Sequence, residues 1–380
     1  MKQKVENFIS FCAGKLSLNV RRIIGLVLMI KFLIFVFGLC SYQLLNEKSL
    51  TSSYWIFGVW NRWDAEHYLT IAQSGYAAVG ERLYDIAFFP LYPTLVSVFI
   101  FLTGNEVLSA FLVSGIASVA LGVLFYYLVN LDYAEETAMS AVWFLFIFPT
   151  AYFLHIPYTE SLFLALIVGS FLFARKGNWL LAGILGFLAC TTRINGLILC
   201  LALPFEVLIV WRETRRFDWR WLWLALIPLG FVAYLLLNYF VTGNALAFLE
   251  VQRGHWGKYL DFPWKSIWKQ ILYVRIQQNS VSQMFGLMEL LFIGIGFLSI
   301  VVGWRSLRGS YRVWLIANWL LFVSTSWLLS VPRYTLTMFP IFILFALVSK
   351  NWLAKIFITA WSILFLALFI ISFVQGRWGF

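Results

Sequence analysis

Long apolar runs separated by short polar segments extend through the chain from end to end. A transmembrane helix needs about 20 apolar residues, and seven runs are long enough: 23–45, 107–130, 221–242, 284–303, 312–330, 333–350 and 352–374. Apolar runs of this length predict an all-α integral membrane protein.

Five further apolar runs are shorter or are interrupted by proline or by a polar step. They lie at 88–103, 137–154, 157–175, 178–192 and 196–211. Such segments are tolerated at membrane depth when surrounding protein buries them. With the seven long runs they predict a polytopic helical bundle of about 11–12 transmembrane helices, in a single domain over residues 1–380. We expect one run between residues 84 and 175 not to cross the membrane. If all of them crossed, the loops would no longer alternate between the cytoplasmic and non-cytoplasmic sides as their charges require.

Lysine and arginine in short loops predict the orientation, since cytoplasmic loops are enriched in these residues. Basic clusters occur at the N-terminus, Arg175-Lys176, Arg212 to Arg220, Arg305 to Arg312 and Lys350. This distribution predicts two long non-cytoplasmic loops, at about 46–87 and 243–283. The second loop is itself basic and rich in tryptophan, which suits the anionic headgroups of membrane lipids, although a solvated interfacial face gives the same pattern.

Composition supports the interpretation as a membrane protein and argues against nucleic-acid binding. Hydrophobic residues make up 62% of the chain and charged residues only 12%, whereas soluble domains carry roughly 25% charged residues. The net charge of +11 does not indicate nucleic acid, because no basic stripe with interleaved aromatics lies outside the apolar runs. The four cysteines lack metal-binding spacing.

The first long loop contains the clearest candidate for chemistry, in the segment Trp60 to Tyr68. As a helix, this segment places Asp64 and His67 on one face, with tryptophans as interfacial anchors. Asp64 at the membrane surface could accept a proton from a bound hydroxyl group. The alternative is a structural ion pair between Asp64 and Arg62.

Several segments, in order along the chain, resemble motifs of the glycosylphosphatidylinositol mannosyltransferase II (PIG-V type) family. They are Arg62-Trp63-Asp64-Ala65, Ile71-Ala72 with Gly75-Tyr76, Phe88-Phe89-Pro90, Tyr158-Thr159-Glu160-Ser161, Arg193-Ile194-Asn195-Gly196, Gln252 with His255-Trp256-Gly257, and Pro332-Arg333-Tyr334. The chain differs from the family in having Ile194 where serine is expected. It is also shorter than eukaryotic members, which favours a bacterial relative in the cell membrane over an enzyme of the endoplasmic reticulum.

The resemblance implies a GT-C glycosyltransferase with a polyprenyl-phosphate sugar donor and a mannose-like sugar. The acceptor would be a lipid or a glycan, reached on the non-cytoplasmic face. Asp64 is then the candidate catalytic base. Arg193, Arg333 and Tyr334 are candidates for binding the donor phosphate, since a guanidinium matches phosphate oxygens. We expect the two arginines to reach one cavity.

Further candidate site residues are Arg62, His67, Glu160, Asn195, His255 and Trp256. Each arginine also has a structural alternative. Arg193 could form an ion pair with Glu160, and Arg333 could snorkel to the membrane surface. Three histidines, His67, His155 and His255, raise the idea of a metal site with Asp64, but no close-spaced ligand pair supports it. We therefore expect no metal and no cofactor. Rival functions are a transporter or lipid-sugar flippase, and a non-enzymatic membrane scaffold.

Overall fold

The computed structural model describes residues 17–46 and 53–380. The predicted basic N-terminus with Lys2, Lys4 and Lys15, together with Cys12, lies outside the described residues. The N-terminal half forms α1 (Leu18–Asn46), α2 (Ser53–Gly58), α3 (Asp64–Ser74), α4 (Leu91–Thr103), α5 (Glu106–Val129), α6 (Glu135–Ile147), α7 (Glu160–Arg175) and α8 (Trp179–Cys190).

The C-terminal half continues with α9 (Leu199–Thr214), α10 (Leu226–Thr242), α11 (Ala247–Gly254), α12 (Pro263–Ile276), α13 (Ser280–Ser306), α14 (Gly309–Val323), α15 (Val331–Leu336), α16 (Pro340–Val348) and α17 (Trp352–Val374). Short 3₁₀ helices lie at Glu81–Ala87, Ala151–Leu154, Ile194–Ile198 and Trp219–Ala225. Over the described ranges the chain has no β-strand, and one isolated bridge joins Leu260 to Thr325.

Six helices in the described part of the chain are long and apolar enough to cross a bilayer. They are α1, α5, Ile194–Thr214, Trp219–Thr242, α13 and α17. A seventh candidate combines Glu81–Ala87 with α4, and the two pieces are bent by 111°. The protein is therefore an integral, multi-pass membrane protein. The other predicted crossings correspond to shorter helices, such as α7 with 16 residues and α8 with 12.

Two runs predicted as uninterrupted spans are broken. The run 312–330 leaves the helix at Val323, where three polar residues, Ser324 to Ser326, follow. The run 333–350 divides into α15 and α16, each with proline in its first turn. Proline lacks the N–H that would continue a preceding helix. These breaks leave Arg333 and Tyr334 on a short helix that other elements surround.

The helices pack as a bundle in which α5 contacts α7, α7 contacts α8, and α8 contacts α10. Glycine permits the last contact: a Cβ at Gly230 would lie 2.1 Å from the carbonyl oxygen of Phe187. Small residues allow helix backbones in membranes to approach this closely. The close packing fixes the loop after α8, which carries Arg193.

Helix α7 has a polar cluster at each end, about 22 Å apart at about 1.5 Å per residue. Glu160 begins the helix, and Arg175 ends it. Arg175 lies 2.7 Å from Asp132 and 3.5 Å from Glu206, and Glu206 also binds Arg308 at 2.6 Å. Arg175 and Arg308, both predicted as cytoplasmic, thus meet on one buried carboxylate at the end opposite Glu160.

Candidate active site

A cavity of about 310 Å³ opens near the start of α7, where residues from distant parts of the sequence meet. The charged side chains in its wall are Asp64, Arg193, Lys258 and Arg333, and its polar side chains include Asn195, Gln252 and Tyr334. Both arginines therefore reach one cavity, as the sequence predicts. The wall draws on both long loops, since Asp64 belongs to the first and Lys258 to the second.

The backbone is strained where the chain enters two helices of this site. Asp64 is the first residue of α3, and Trp63 before it has φ 54°. Arg333 lies in α15, and Ser330 before that helix has φ 67°. Left-handed backbone costs a non-glycine residue roughly 1–2 kcal/mol, and such conformations cluster at functional sites. Both turns aim a charged side chain into the cavity wall.

Glu160 joins the two arginines. Its Oε1 accepts hydrogen bonds from Nη1 of Arg193 and from Nε of Arg333, each at 2.5 Å. Glu160 is completely buried, and a buried carboxylate requires a cationic partner to remain charged. The pairing of Arg193 with Glu160 that the sequence left as an alternative is therefore present, and Arg333 shares it.

Arg333 also donates from Nη1 to Oδ2 of Asp64, at 2.6 Å. The rings of Phe153 and Tyr158 lie 4.7 and 4.6 Å from its guanidinium carbon. Only 8% of its side chain is exposed. Snorkelling, which would keep the guanidinium in water, is thus wrong for Arg333. The structural alternative for Asp64 is corrected too, because its partner is Arg333 and not Arg62.

The carboxyl group of Asp64 has a low pKa although it is partly buried in the cavity wall. Burial pushes the pKa of Asp64 upward, but the charge and hydrogen bond of Arg333, with smaller contributions from Arg193 and His67, hold that pKa below its usual value. The side chain is 37% exposed, so water reaches the carboxylate. Asp64 therefore remains ionised at neutral pH and open to the cavity.

Among the described residues, Lys258 is the cation of the cavity wall that forms no salt bridge. Its Nζ donates to the hydroxyl of Tyr334 at 3.3 Å and lies 5.1 Å from the centre of that ring. Lys265 and Lys269 of the same loop instead pair with Asp261. No salt bridge joins Lys258 to a carboxylate in the described parts of the chain.

The remaining predicted site residues divide into two groups. Asn195 lines the cavity and donates to Asn318 at 3.2 Å. Arg62 does not face the cavity group: its Nη2 donates to the carbonyl of Val374, and its own carbonyl accepts from Tyr158. Arg62 therefore ties the first loop to the end of α17.

His67, His255 and Trp256 form the outer part of the site. His67 stacks on Phe88, a residue of the cavity wall, and its Nδ1 lies 2.7 Å from Oδ1 of the buried Asp85. His255 stacks on Tyr84, with ring centres 3.7 Å apart. Trp256 packs edge-on against His67 and Phe88. These contacts hold the two long loops against each other.

The metal idea has no geometric support among residues 17–46 and 53–380, where no three His, Cys, Asp or Glu side chains are grouped to hold an ion. The third histidine, His155, is buried away from the other two. It lines a separate apolar cavity with Lys31, whose ammonium donates to the carbonyl of His155 at 2.8 Å.

Comparison with known proteins adds information at the level of the fold. No known family profile matches the sequence, and no curated protein matches it either. The structure is similar to the crystal structure of ArnT from Cupriavidus metallidurans bound to undecaprenyl phosphate, with a TM-score of 0.52 and 14% sequence identity. The match covers 93% of this chain and 76% of that chain. The chain resembles ArnT in fold.

The similarity to ArnT confirms the predicted all-helical, polytopic membrane fold. The narrower resemblance to the PIG-V type family is not confirmed and stays a prediction.

Within this ArnT-like fold, the sequence analysis missed three residues at or near the site. Lys258 lines the cavity, Asp85 holds His67, and Glu289 binds the turn before α15. Gln252, which the sequence placed in a motif without a role in the site, also lines the cavity. One signal was present for Glu289, because it is a lone acidic residue within the apolar run 284–303, and a charge at that depth indicates a function. Lys258 had no local signal beyond the general basicity of its loop.

Proposed function

We propose that this protein is a membrane glycosyltransferase that moves a mannose-like hexose from a polyprenyl-phosphate sugar to a lipid-linked or glycan acceptor, on the non-cytoplasmic face. The charge of the cavity carries the proposal. Arg193, Arg333 and Lys258 supply three positive charges, and Asp64 and Glu160 supply two negative ones, which leaves a net charge of +1. ArnT, whose structure contains undecaprenyl phosphate, supports the choice of a polyprenyl phosphate.

The donor phosphate would lie against Lys258, Arg193, Arg333 and Tyr334. Lys258 offers ammonium protons, and Tyr334 a hydroxyl group, on one side of the cavity. Glu160 and Asp64 fix the planes of the two guanidinium groups. Preorganised cationic donors of this kind stabilise charge as it develops on a leaving group.

The transfer would proceed as a single displacement. The acceptor oxygen bonds to the anomeric carbon, its proton passes to the carboxylate of Asp64, and the bond between that carbon and the phosphate oxygen breaks. The electron pair leaves with the polyprenyl phosphate, and the cations of the cavity stabilise its charge. Glu160 is buried and paired with both arginines, so it is not placed as a nucleophile. One displacement inverts the anomeric configuration.

The leaving group is a phosphate monoester, which does not require a divalent cation in this mechanism. The proposal is tested by incubating detergent-purified protein with a radiolabelled polyprenyl-phosphate hexose and a membrane lipid extract, with and without EDTA. We expect label to move from the donor to a new product in both samples, with inverted configuration by NMR. If labelled donor crosses the bilayer of proteoliposomes chemically unchanged, the protein is a flippase and the proposal is wrong.

A further inference from the structure

Glu289 lies within the span α13 and does not belong to the cavity wall. Its side chain is almost completely buried, with 3% of the residue exposed. Both oxygens are occupied by backbone groups of another segment: Oε1 accepts from N–H of Ser330 at 2.8 Å, and Oε2 accepts from N–H of Val331 at 2.7 Å. Acidic residues inside transmembrane helices are costly, and they mark functional positions.

The two N–H groups belong to the strained turn that precedes the arginine helix. Ser330 has left-handed backbone at φ 67°, Val331 begins α15, and Arg333 follows two residues later. Buried backbone N–H groups require an acceptor, and the two oxygens of Glu289 accept one N–H group each. Glu289 thus stabilises a turn that the sequence of the turn itself disfavours.

Other side chains hold the same segment from the carbonyl side. Thr150 donates to the carbonyl of Pro332 at 3.0 Å, and Trp314 donates to the carbonyl of Thr337 at 3.1 Å. These bonds fix the flank and the end of α15. Glu289 binds the backbone at the start of α15. The direction of this turn sets the directions of the Arg333 and Tyr334 side chains.

We propose that Glu289 is a positioning residue for the donor phosphate, acting through the backbone of Ser330 and Val331 on Arg333 and Tyr334. This inference rests on the proposed function. The turn stays left-handed because Glu289 accepts both N–H groups together. A neutral amide in the same place offers one acceptor oxygen, and its NH₂ group would face an N–H donor.

The test compares Glu289→Gln with a matched buried carboxylate, Glu206→Gln. Glu206 lies at the opposite end of the bundle, where Arg308 and Ser310 bind it. We expect both variants to lower the Tm. Only Glu289→Gln should raise the donor KM, by about tenfold, with kcat changed less than about threefold. The thermal stabilisation by undecaprenyl phosphate should shrink in Glu289→Gln and remain in Glu206→Gln.

A second substitution checks the route through Ser330. Glycine adopts positive φ without the steric cost, so Ser330→Gly in the Glu289→Gln background should restore the donor KM, and Ser330→Ala should not. The two double variants also test the inference if Glu289→Gln alone is too unstable to purify. A lower donor KM in the Ser330→Gly double variant than in the Ser330→Ala double variant supports the inference, and equal donor KM values overturn it.

The failure of this inference can be told from the failure of the proposed function. An active wild type with an unchanged donor KM in Glu289→Gln, or an equal rise in Glu206→Gln, overturns the positioning role alone. A wild type that neither transfers sugar nor is stabilised by undecaprenyl phosphate overturns both.

Discussion

Asp64 and Arg333 form a salt bridge of 2.6 Å although 269 positions separate them in the sequence. Asp64 begins α3 in the first long loop. Arg333 lies in α15, after a break in an apolar region near the C-terminus. The bridge brings the candidate base next to the candidate phosphate ligand, so substitutions of Asp64 test both the base and the electrostatic arrangement.

We expect Asp64→Asn to lose turnover and to keep donor binding. Asparagine retains the size of the side chain and one acceptor oxygen for Arg333, but it cannot take a proton. If Asp64 is the base, kcat falls by at least about 10²-fold. The measurements are initial rates at saturating donor and the thermal shift produced by undecaprenyl phosphate.

The control is Glu66→Gln, two residues away and exposed, which should remain near wild-type activity. Turnover retained in Asp64→Asn and lost in Glu66→Gln would move the base to Glu66. Turnover retained in both would remove this loop from the chemistry.

The same salt bridge predicts how activity depends on pH. Burial raises the pKa of Asp64, but Arg333 lowers it by more than burial raises it. The pKa of Asp64 therefore lies below its usual value. A depressed carboxyl pKa means that the ionised form, and the stability it contributes, is present above about pH 4 and lost as pH falls further. We expect no loss of kcat from Asp64 between about pH 5 and pH 7.

The Arg333→Gln variant supplies the comparison for this pH profile. Removing the guanidinium leaves burial as the dominant influence, so the pKa of Asp64 rises and the acidic limb of kcat moves to higher pH. An acidic limb at the same pH in the variant and the wild type would show that Asp64 does not control the profile.

Lys258 is the cavity cation that forms no salt bridge with Glu160 or Asp64, which pair with the two arginines. We expect Lys258→Gln to raise the donor KM by about tenfold or more, because a phosphate loses a charged ligand, while kcat falls less. The control is Lys265→Gln in the same loop, where the lysine pairs with Asp261. Equal effects of the two substitutions would indicate general electrostatic attraction by the loop.

The fold was predictable because apolar runs of bilayer length are a strong signal in the sequence. The breaks within 312–330 and 333–350 were not, since hydrophobicity alone does not distinguish a continuous span from two short helices that protein buries. Pro332 and Pro340 were visible, but proline is also tolerated inside transmembrane helices. Hydrophobicity therefore did not predict the helix lengths around the site.

The site was predictable in part, through the motifs that contain Asp64, Arg193 and Arg333. The convergence of Arg193 and Arg333 on Glu160 depends on tertiary contacts across 33 and 173 positions, which no local pattern encodes. Lys258 was hidden for the same reason: its loop contains several basic residues, and only the fold shows which of them lacks a carboxylate partner.

A final prediction concerns the sides of the membrane. The first and second long loops touch through Tyr84 and His255, whereas Arg175 and Arg308 lie at the far end of the bundle. In a variant without native cysteines, single cysteines at Glu66 and Lys265 should react with a membrane-impermeant maleimide from one side, and a cysteine at Arg216 from the other. All three positions are exposed, so accessibility to water does not bias the comparison.

Labelling of intact cells should then modify the Glu66 and Lys265 positions and spare Arg216, which reacts only after the cells are opened. This pattern would place Asp64 and Lys258 where a polyprenyl-phosphate sugar is consumed outside the cytoplasm. Because the two loops pack together, labelling of Glu66 and Lys265 from different sides would contradict the structure itself. Labelling of both only from the cytoplasmic side would leave the structure intact and reverse the face on which the proposed transfer occurs.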